Sequence, residues 1–307
     1  MPLRTPIRRT AVVATALASA LLAAGCGGSS DTSSGNTAGS SSAPLPSVSA
    51  DENLAAMVPD SIASDGVIAV GSDTTYAPSE FIAEDGTTIV GFDVDLFTLV
   101  AAKLGLKAEF TTAPFDSIIA GVGSGKYEAG VSSFTINPDR LAEVTMVSYY
   151  NAGTQWSTKK GNPEDVDPEN ACGLAIAVQK ATVQVDDITA RSQACTDAGK
   201  PAITIDQYDA QSDATAAVVS GKDVAGLADS PVMAYAVQQT NGQLELLGEI
   251  YDSAPYGYVL PKDAKGLDKA VLGGLQAVMS DGSYKKALDK WGVAQGAITT
   301  PEINPSL

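Results

Sequence analysis

One pattern occurs twice in this chain. SGKYEAGVSS begins at Ser124 and SGKDVAGLADS begins at Ser220, an offset of 96 residues that sets Ser133 opposite Asp229. Each copy follows a helix-like stretch, SIIAGV at 117–122 and ATAAVV at 214–219, and each leads into a short apolar strand. A looser pairing sets VIAVGSDTTYAP from Val67 beside LAIAVQKATVQ from Leu174. A Gly-Lys repeat alone is weak, because turns often contain that pair; its flanking elements make it stronger. Strands are expected over 67–71, 107–112 and 128–133, and again over 174–178, 202–205 and 224–228. Helices are expected over 92–105, where apolar residues recur at three and four, and over 116–122, 183–196 and 210–219. Such alternation implies parallel-type sheets flanked by helices. Its duplication implies an α/β protein of two lobes. Ligands of open α/β sheets gather at the carboxyl ends of the strands. Those ends carry Asp73 and Tyr76, Phe115, Ser132, Ser133 and Thr135, then Thr182, then Asp229. Two facing lobes would collect them around a cleft.

The first 25 residues read as a secretory signal. Arg4, Arg8 and Arg9 precede an apolar run from Ala11 to Ala24 that is too short to anchor stably across a membrane. The run ends in LLAAGC, which resembles a bacterial lipobox, although that pattern prefers Leu where Ala23 stands. Lipidation of Cys26 is therefore expected; the alternative is an ordinary signal peptide with a bystander cysteine. Arg8-Arg9 leaves twin-arginine export open. From Gly27 to about Ser49 the chain is mostly Gly, Ser, Thr, Ala and Pro. Such a stretch buries too little to order itself and reads as a flexible tether.

Charge and composition remove several classes of function. The signal takes away three of 19 basic residues and none of 36 acidic ones, leaving a net charge of −20. That argues against nucleic acid, and against an anionic membrane surface, as partners. There is no histidine. Triads and Cys-His pairs built on histidine, and histidine metal sites, are thus excluded. Cys172 and Cys195 are the two cysteines beyond Cys26, and in an exported protein they read as a disulfide. GVGSGKY at 121–127 superficially looks like a phosphate loop. However, Ala120 occupies the first Gly position and Tyr127 follows Lys126. No Gly-x-Gly-x-x-Gly opens a helix, and no carboxylate cluster has metal-ligand spacing, so no cofactor is expected.

Outside the first ten residues the chain has only two arginines, Arg140 and Arg191. Arg140 closes SSFTINPDR, just after a hydroxyl-rich strand end. Its planar fork matches a carboxylate bidentately. Ser133, Thr135 and Thr182 add hydroxyl donors, and Thr182 stands where a helix start would favour an anion. Asp229 brings a fixed negative charge from the other half. Together these suit a zwitterion, with its α-carboxylate on Arg140, its α-ammonium on Asp229, and its side chain between Tyr76 and Phe115. Each residue also has a plainer reading. Arg140 could pair with Glu143, Asp229 and Thr182 could only cap helices, and the two aromatics could be core.

At this point the sequence resembles a known family, the bacterial extracellular solute-binding proteins of family 3, amino-acid receptors of ABC importers. The likeness runs from about Gly66 to Trp291. It is carried by GSDTTYAP at 71–78, GFDVDLFTLVAAKLGL at 91–106, FDSIIAGVGSGKYEAGVSSFTINPDR at 115–140, the Asp of LADSP, YGYVLPKD at 256–263 and DGSYKKALDKWG at 281–292. The resemblance implies a type II periplasmic-binding-protein-like fold, two lobes joined by two hinge strands and closing on ligand like a trap. It implies that Arg140 holds the ligand carboxylate, with Ser132, Ser133 and Thr135 before it, that Tyr76 and Phe115 are the site aromatics, and that Asp229 takes the ammonium. The implied organisation is a signal peptide (1–25), a lipid-anchored linker (26–58), the first lobe (59–152), the second lobe (153–248), a return to the first lobe (249–292) and a C-terminal tail (293–307).

Two departures stand out. The family's usual QKGTT is QKATV at 179–183, and the hinge reads VSYYNAG at 147–153. An acidic ligand would want a second arginine in the cleft, and Arg191 lies late in the 183–196 helix. Asp73, Glu80 and Asp116 could serve a cationic or amide side chain, so a neutral or basic polar amino acid is expected. The expected protein is a monomeric, lipid-anchored receptor at the outer face of the cytoplasmic membrane, touching the membrane only through its lipid and delivering to an ABC permease. Two alternatives stay open. One is a ligand sensor for a membrane kinase. The other is a dehydratase or lyase on the same scaffold, using Asp73, Glu80 or Asp229 as acid or base.

Overall fold

The computed structural model describes residues 44–306; the predicted signal and Cys26 lie outside the described residues. The strands, in chain order, are β1 (Val67–Ser72), β2 (Thr75–Tyr76), β3 (Glu80–Ile82), β4 (Ile89–Val90), β5 (Lys107–Thr112), β6 (Ala129–Gly130), β7 (Thr145–Lys159), β8 (Ala175–Gln179), β9 (Thr204–Tyr208), β10 (Ala225–Asp229) and β11 (Leu244–Leu260). Eight of them follow the order β5-β1-β6-β11-β7-β10-β8-β9. The duplication seen in the sequence is visible in that order. β1 lies parallel between β5 and β6, and β8 lies parallel between β9 and β10. The long antiparallel pair β7 and β11 runs through both halves and joins them.

Each half buries its sheet between helices. In the first, Phe92–Lys103, Leu267–Ser280 and Ser283–Trp291 cover one face over a core that includes Ile68, Phe97, Leu275 and Leu288. The helix Phe115–Gly123 covers the other, with Ile118 and Val122 against Phe134 and Val259. In the second half Ile188 of the helix Val183–Asp197 packs on Trp156, Ile176 and Leu227. The disulfide Cys172–Cys195 ties that helix to the segment before β8.

Several boundaries differ from expectation, for physical reasons. The strand expected over 128–133 is only Ala129–Gly130; the chain then leaves the sheet through Ser133, which takes a left-handed backbone (φ 50°). The strand expected over 202–205 sits at Thr204–Tyr208, and the small antiparallel sheet β2-β3-β4 was not anticipated. Part of the expected tether is packed: Leu45, Val48 and Leu54 lie on the first-lobe core. Asp51 caps the helix Glu52–Ala55. The tail also docks, since Ala297 and Ile303 bridge to Tyr150 and Val147 of β7. The unusual hinge tyrosines are both buried in β7, and Tyr149 stacks on Tyr258 of β11 with ring centroids 4.1 Å apart. No helix among the described residues is long and apolar enough to cross a membrane.

Candidate ligand-binding site

The carboxyl ends of the strands meet where the two halves face each other. From the first half, β2 presents Tyr76, the helix Phe115–Gly123 presents its first residue, and the turn after β6 presents Ser133 and Thr135. Asn137 caps the helix Pro138–Glu143 by accepting from the Arg140 amide at 2.8 Å, which fixes where that arginine leaves the backbone. From the second half come Thr182, Val183 and Gln184 at the start of a helix, and Asp229 at the end of β10. These nine residues line one small cavity where the two halves face each other.

Phe115 and Phe134 stack on each other with ring centroids 4.7 Å apart, and the Arg140 guanidinium lies beside the pair, 5.5 and 5.4 Å from the two centroids. Its Nη1 donates to the Thr135 carbonyl at 2.7 Å, and its Nη2 crosses to the Ala181 carbonyl of the other half at 3.0 Å. No carboxylate among the described residues forms an ion pair with it, Glu143 included. Desolvation lowers its pKa from the ordinary value, opposed by the charges of Asp229, Tyr76 and Asp186. A desolvated cation held by neutral carbonyls stabilises an incoming anion.

Asp229 is the opposite pole. It ends β10 at the start of the helix Ser230–Gln239 but makes no side-chain cap bond there. Instead it accepts from Tyr76 Oη across the cleft at 2.8 Å and from Gln184 Nε2 at 2.9 Å. Burial raises its pKa, and the neighbouring hydroxyls of Tyr256 and Tyr76, the Gln184 amide and the Arg140 charge oppose that rise. Thr182 likewise makes no side-chain cap; its hydroxyl donates to the Gln179 carbonyl at 2.8 Å. The first-turn amides of that helix therefore have no side-chain partner at its cap, and such amides favour an anion.

Seven of the nine residues singled out from the sequence line the cavity. Asp73 and Ser132 do not. Asp73 is buried, accepting from the amide and hydroxyl of Thr75 and, across the cleft, from Gln179 Nε2. Ser132 donates to Glu80 Oε1 at 2.9 Å and accepts from the Asp73 amide at 3.0 Å. Both belong to the wall behind the cavity. Val183, Gln184 and the neighbouring Tyr256 were not foreseen. A polar residue one position into a helix whose start was already read as an anion site is the signal that could have found Gln184.

The turn at QKATV shows what its unusual alanine does. Ala181 sits in the left-handed region, with φ at 60°. That conformation costs an L-residue about 1–2 kcal/mol and glycine almost nothing, offset partly by the entropy glycine adds to the unfolded chain. Ala181→Gly should therefore stabilise the protein by about 0.5–1 kcal/mol, raising Tm by roughly 1–4 °C. A lower melting temperature in a thermal unfolding scan would contradict this account of the turn.

Fold and cavity together define a two-lobed trap for a small, polar solute. The chain belongs to the bacterial extracellular solute-binding proteins, family 3, whose family model matches residues 68–294. It is similar to the arginine-binding protein ArgT of Corynebacterium glutamicum, at 34% identity over 252 residues that cover 82% of each chain. It is also similar to ABC transporter arginine-binding protein 1 of Escherichia coli, at 26% identity covering 72% of this chain and 88% of that one. Among solved structures, an ancestral arginine-binding protein bound to arginine matches with a TM-score of 0.67 at 32% identity, covering 74% of this chain and 98% of that one. As a member of this family, the protein is an exported solute-binding component of ABC transport rather than an enzyme.

Proposed function

We propose that the protein captures an amino acid with a basic or neutral polar side chain, arginine first among them, and delivers it to an ABC permease. One observation carries this reading: Arg140 and Asp229, from opposite lobes, line the same small cavity. A zwitterion satisfies both at once, with its carboxylate on the Arg140 fork and the first-turn amides at Val183, and its ammonium on Asp229. The ring of Tyr76 and the edge of Phe115 then flank its side chain. Arg140 is the only cation among the lining residues. The other arginine among the described residues, Arg191, is engaged with Asp187 at 2.8 Å and stacks near Trp156 and Tyr251. An acidic side chain has no partner there. The names of the similar proteins support arginine as the first probe.

The test is a thermal-shift and calorimetric screen of refolded, ligand-stripped protein against the common amino acids. A ligand at a hundred times its Kd adds about 2.7 kcal/mol, which is a shift of roughly 5–10 °C. A shift for arginine or another polar amino acid is expected. No shift for any amino acid would overturn the reading.

We further propose that the protein acts as a monomer, since one chain supplies both walls of its site, and that a lipid on Cys26 holds it at the outer face of the cytoplasmic membrane. Cys26→Ala should move it from the membrane fraction to the soluble fraction. A wild-type protein already soluble, with no lipid mass on Cys26, would refute the anchor.

A further inference from the structure

Behind the cavity wall lie two fully buried carboxyl groups, Glu80 of β3 and Asp93 near the start of the helix Phe92–Lys103. The fold presses them together. Gly91 lies so close to β3 that a Cβ there would stand 2.0 Å from the Ser79 carbonyl oxygen. The Asp93 amide donates to that same carbonyl at 3.0 Å. Glu80 Oε1 accepts from Ser132 Oγ. Asp93 Oδ2 accepts from the Ser133 amide at 2.8 Å, from Ser133 Oγ at 3.2 Å and from Tyr149 Oη at 2.5 Å. The remaining oxygens, Glu80 Oε2 and Asp93 Oδ1, find no donor. Burial raises both pKa values, and hydrogen bonding between the two neighbouring carboxyl groups raises Glu80 further while opposing the rise of Asp93. Two acceptors can share a hydrogen bond only if a proton stands between them.

We propose that Glu80 and Asp93 share one proton, Glu80 staying a neutral acid so that an ionised Asp93 can position Ser133 at the ligand cavity. Three observations converge on this. Ser133 is a lining residue in the left-handed region, and its amide and hydroxyl both end on Asp93. Asp93 sits in the first turn of a helix, where a negative charge is stabilised. The third bond on Asp93 comes from Tyr149 of the hinge strand β7, so one carboxylate ties the cavity wall to the hinge. The ionisable groups facing the pair are Asp73, Tyr76, Tyr149, Tyr150 and Tyr258, and none is a cation. No positive charge can take the proton's place. That Ser133 touches ligand rests on the proposed function; the shared proton does not.

The pH dependence has a definite sign. Burial pushes Asp93 up to about 6 and Glu80 well above its ordinary value, the latter helped by the Asp93 charge. Groups raised on folding contribute stability that is present in acid and lost as pH rises through their folded values. Stability should therefore fall from acid towards neutrality as Asp93 ionises. It should fall again in alkali as the shared proton leaves.

The deciding experiment combines carboxyl 13C NMR of the wild-type protein with pH profiles of thermal stability and of L-arginine affinity. Glu80 should read as a protonated acid at neutral pH; an ionised Glu80 there overturns the proposal. Glu80→Gln mimics the neutral acid, so it should keep L-arginine affinity within about threefold and flatten the alkaline loss of stability. Asp93→Asn removes the charged acceptor of Ser133 and should weaken L-arginine binding by about tenfold or more. Glu80→Gln as damaging as Asp93→Asn at neutral pH would also overturn it. If Asp93→Asn fails to fold, the NMR signal and the Glu80→Gln profile still decide. If the wild type binds no L-arginine, the proposed ligand is wrong, while the carboxyl signal and stability profile still judge the pair.

Discussion

Arg140→Ala should fold as the wild type does and fail to bind an amino acid at concentrations that saturate the wild type. Truncating one member of a desolvated, hydrogen-bonded charge pair costs about 2–5 kcal/mol, so Kd should rise by about a hundredfold or more. The fold should survive because the arginine contributes little to it. The helix Pro138–Glu143 keeps its Asn137 cap, and no residue of it is fully buried, Arg140 being half-buried at the cleft. The lost side-chain bonds end on two carbonyls at the cleft, those of Thr135 and Ala181. One of the two also joins the lobes, so the empty alanine protein should spend less time closed. Arg140→Lys should bind weakly too, since a point charge cannot reproduce the bidentate fork. Calorimetric titration with L-arginine, alongside melting curves of both variants, reads the result. Alanine protein that binds within about threefold of wild type would remove the carboxylate from Arg140 and leave it to the helix amides at Val183.

The lobes touch each other without any ligand between them. Tyr76 reaches Asp229, Gln179 reaches Asp73, and the Gln211 amide donates to Thr75 Oγ1 at 3.1 Å, each bond joining one lobe to the other. If the protein closes on ligand as a trap, these contacts would exist only when the lobes meet and would favour the closed form before any solute arrives. The ligand then has only to supply the remaining preference for that form.

What the sequence made legible was whatever repeats or keeps a period. The two copies of the Ser-Gly-Lys pattern each end a helix and begin a central strand, β6 and β10, and their equivalence gave both lobes and the opposition of Ser133 to Asp229. Long helices such as Phe92–Lys103 followed from spacing. What stayed hidden was set by tertiary contact. Ser132 and Ser133 are neighbours of the same chemistry and both bond core carboxyls, yet only Ser133 also lines the cavity. The cause is the left-handed backbone at Ser133, and no local pattern signals it. Asp73 looked like a ligand group because it ends a strand, but Gln179 from the other lobe claims it. Glu80 and Asp93 are 13 residues apart and meet only because β3 crosses the start of a helix at Gly91. The cysteines needed no such contact information, since compartment and count sufficed.

Replacing Cys172 and Cys195 together by serine should lower stability by about 3 kcal/mol, through the closure entropy of a 23-residue separation. For a body of this size that is a fall in Tm of roughly 6–12 °C. Affinity for L-arginine should nevertheless stay within about threefold at temperatures where the variant is folded. The closed loop contains β8 and the cavity turn at Gln179–Thr182, yet the sheet holds both in place. β8 is paired on both sides, with β9 and β10, and the Lys180 amide donates to the Tyr208 carbonyl at 2.9 Å. The turn is therefore held by the sheet once the lobe is folded. Cys195 lies near the far end of the helix that starts at Val183, about 16 Å along its axis from Gln184 at 1.5 Å per residue. The bond therefore acts on the unfolded chain far more than on the geometry of the site. Unchanged melting would mean that the two thiols are not joined in the exported protein, and wild type that alkylates readily without reductant would say the same. A large loss of affinity in well-folded variant would mean that the disulfide end of the helix controls the anion-binding start. The second lobe would then move as a softer body than its packed core implies.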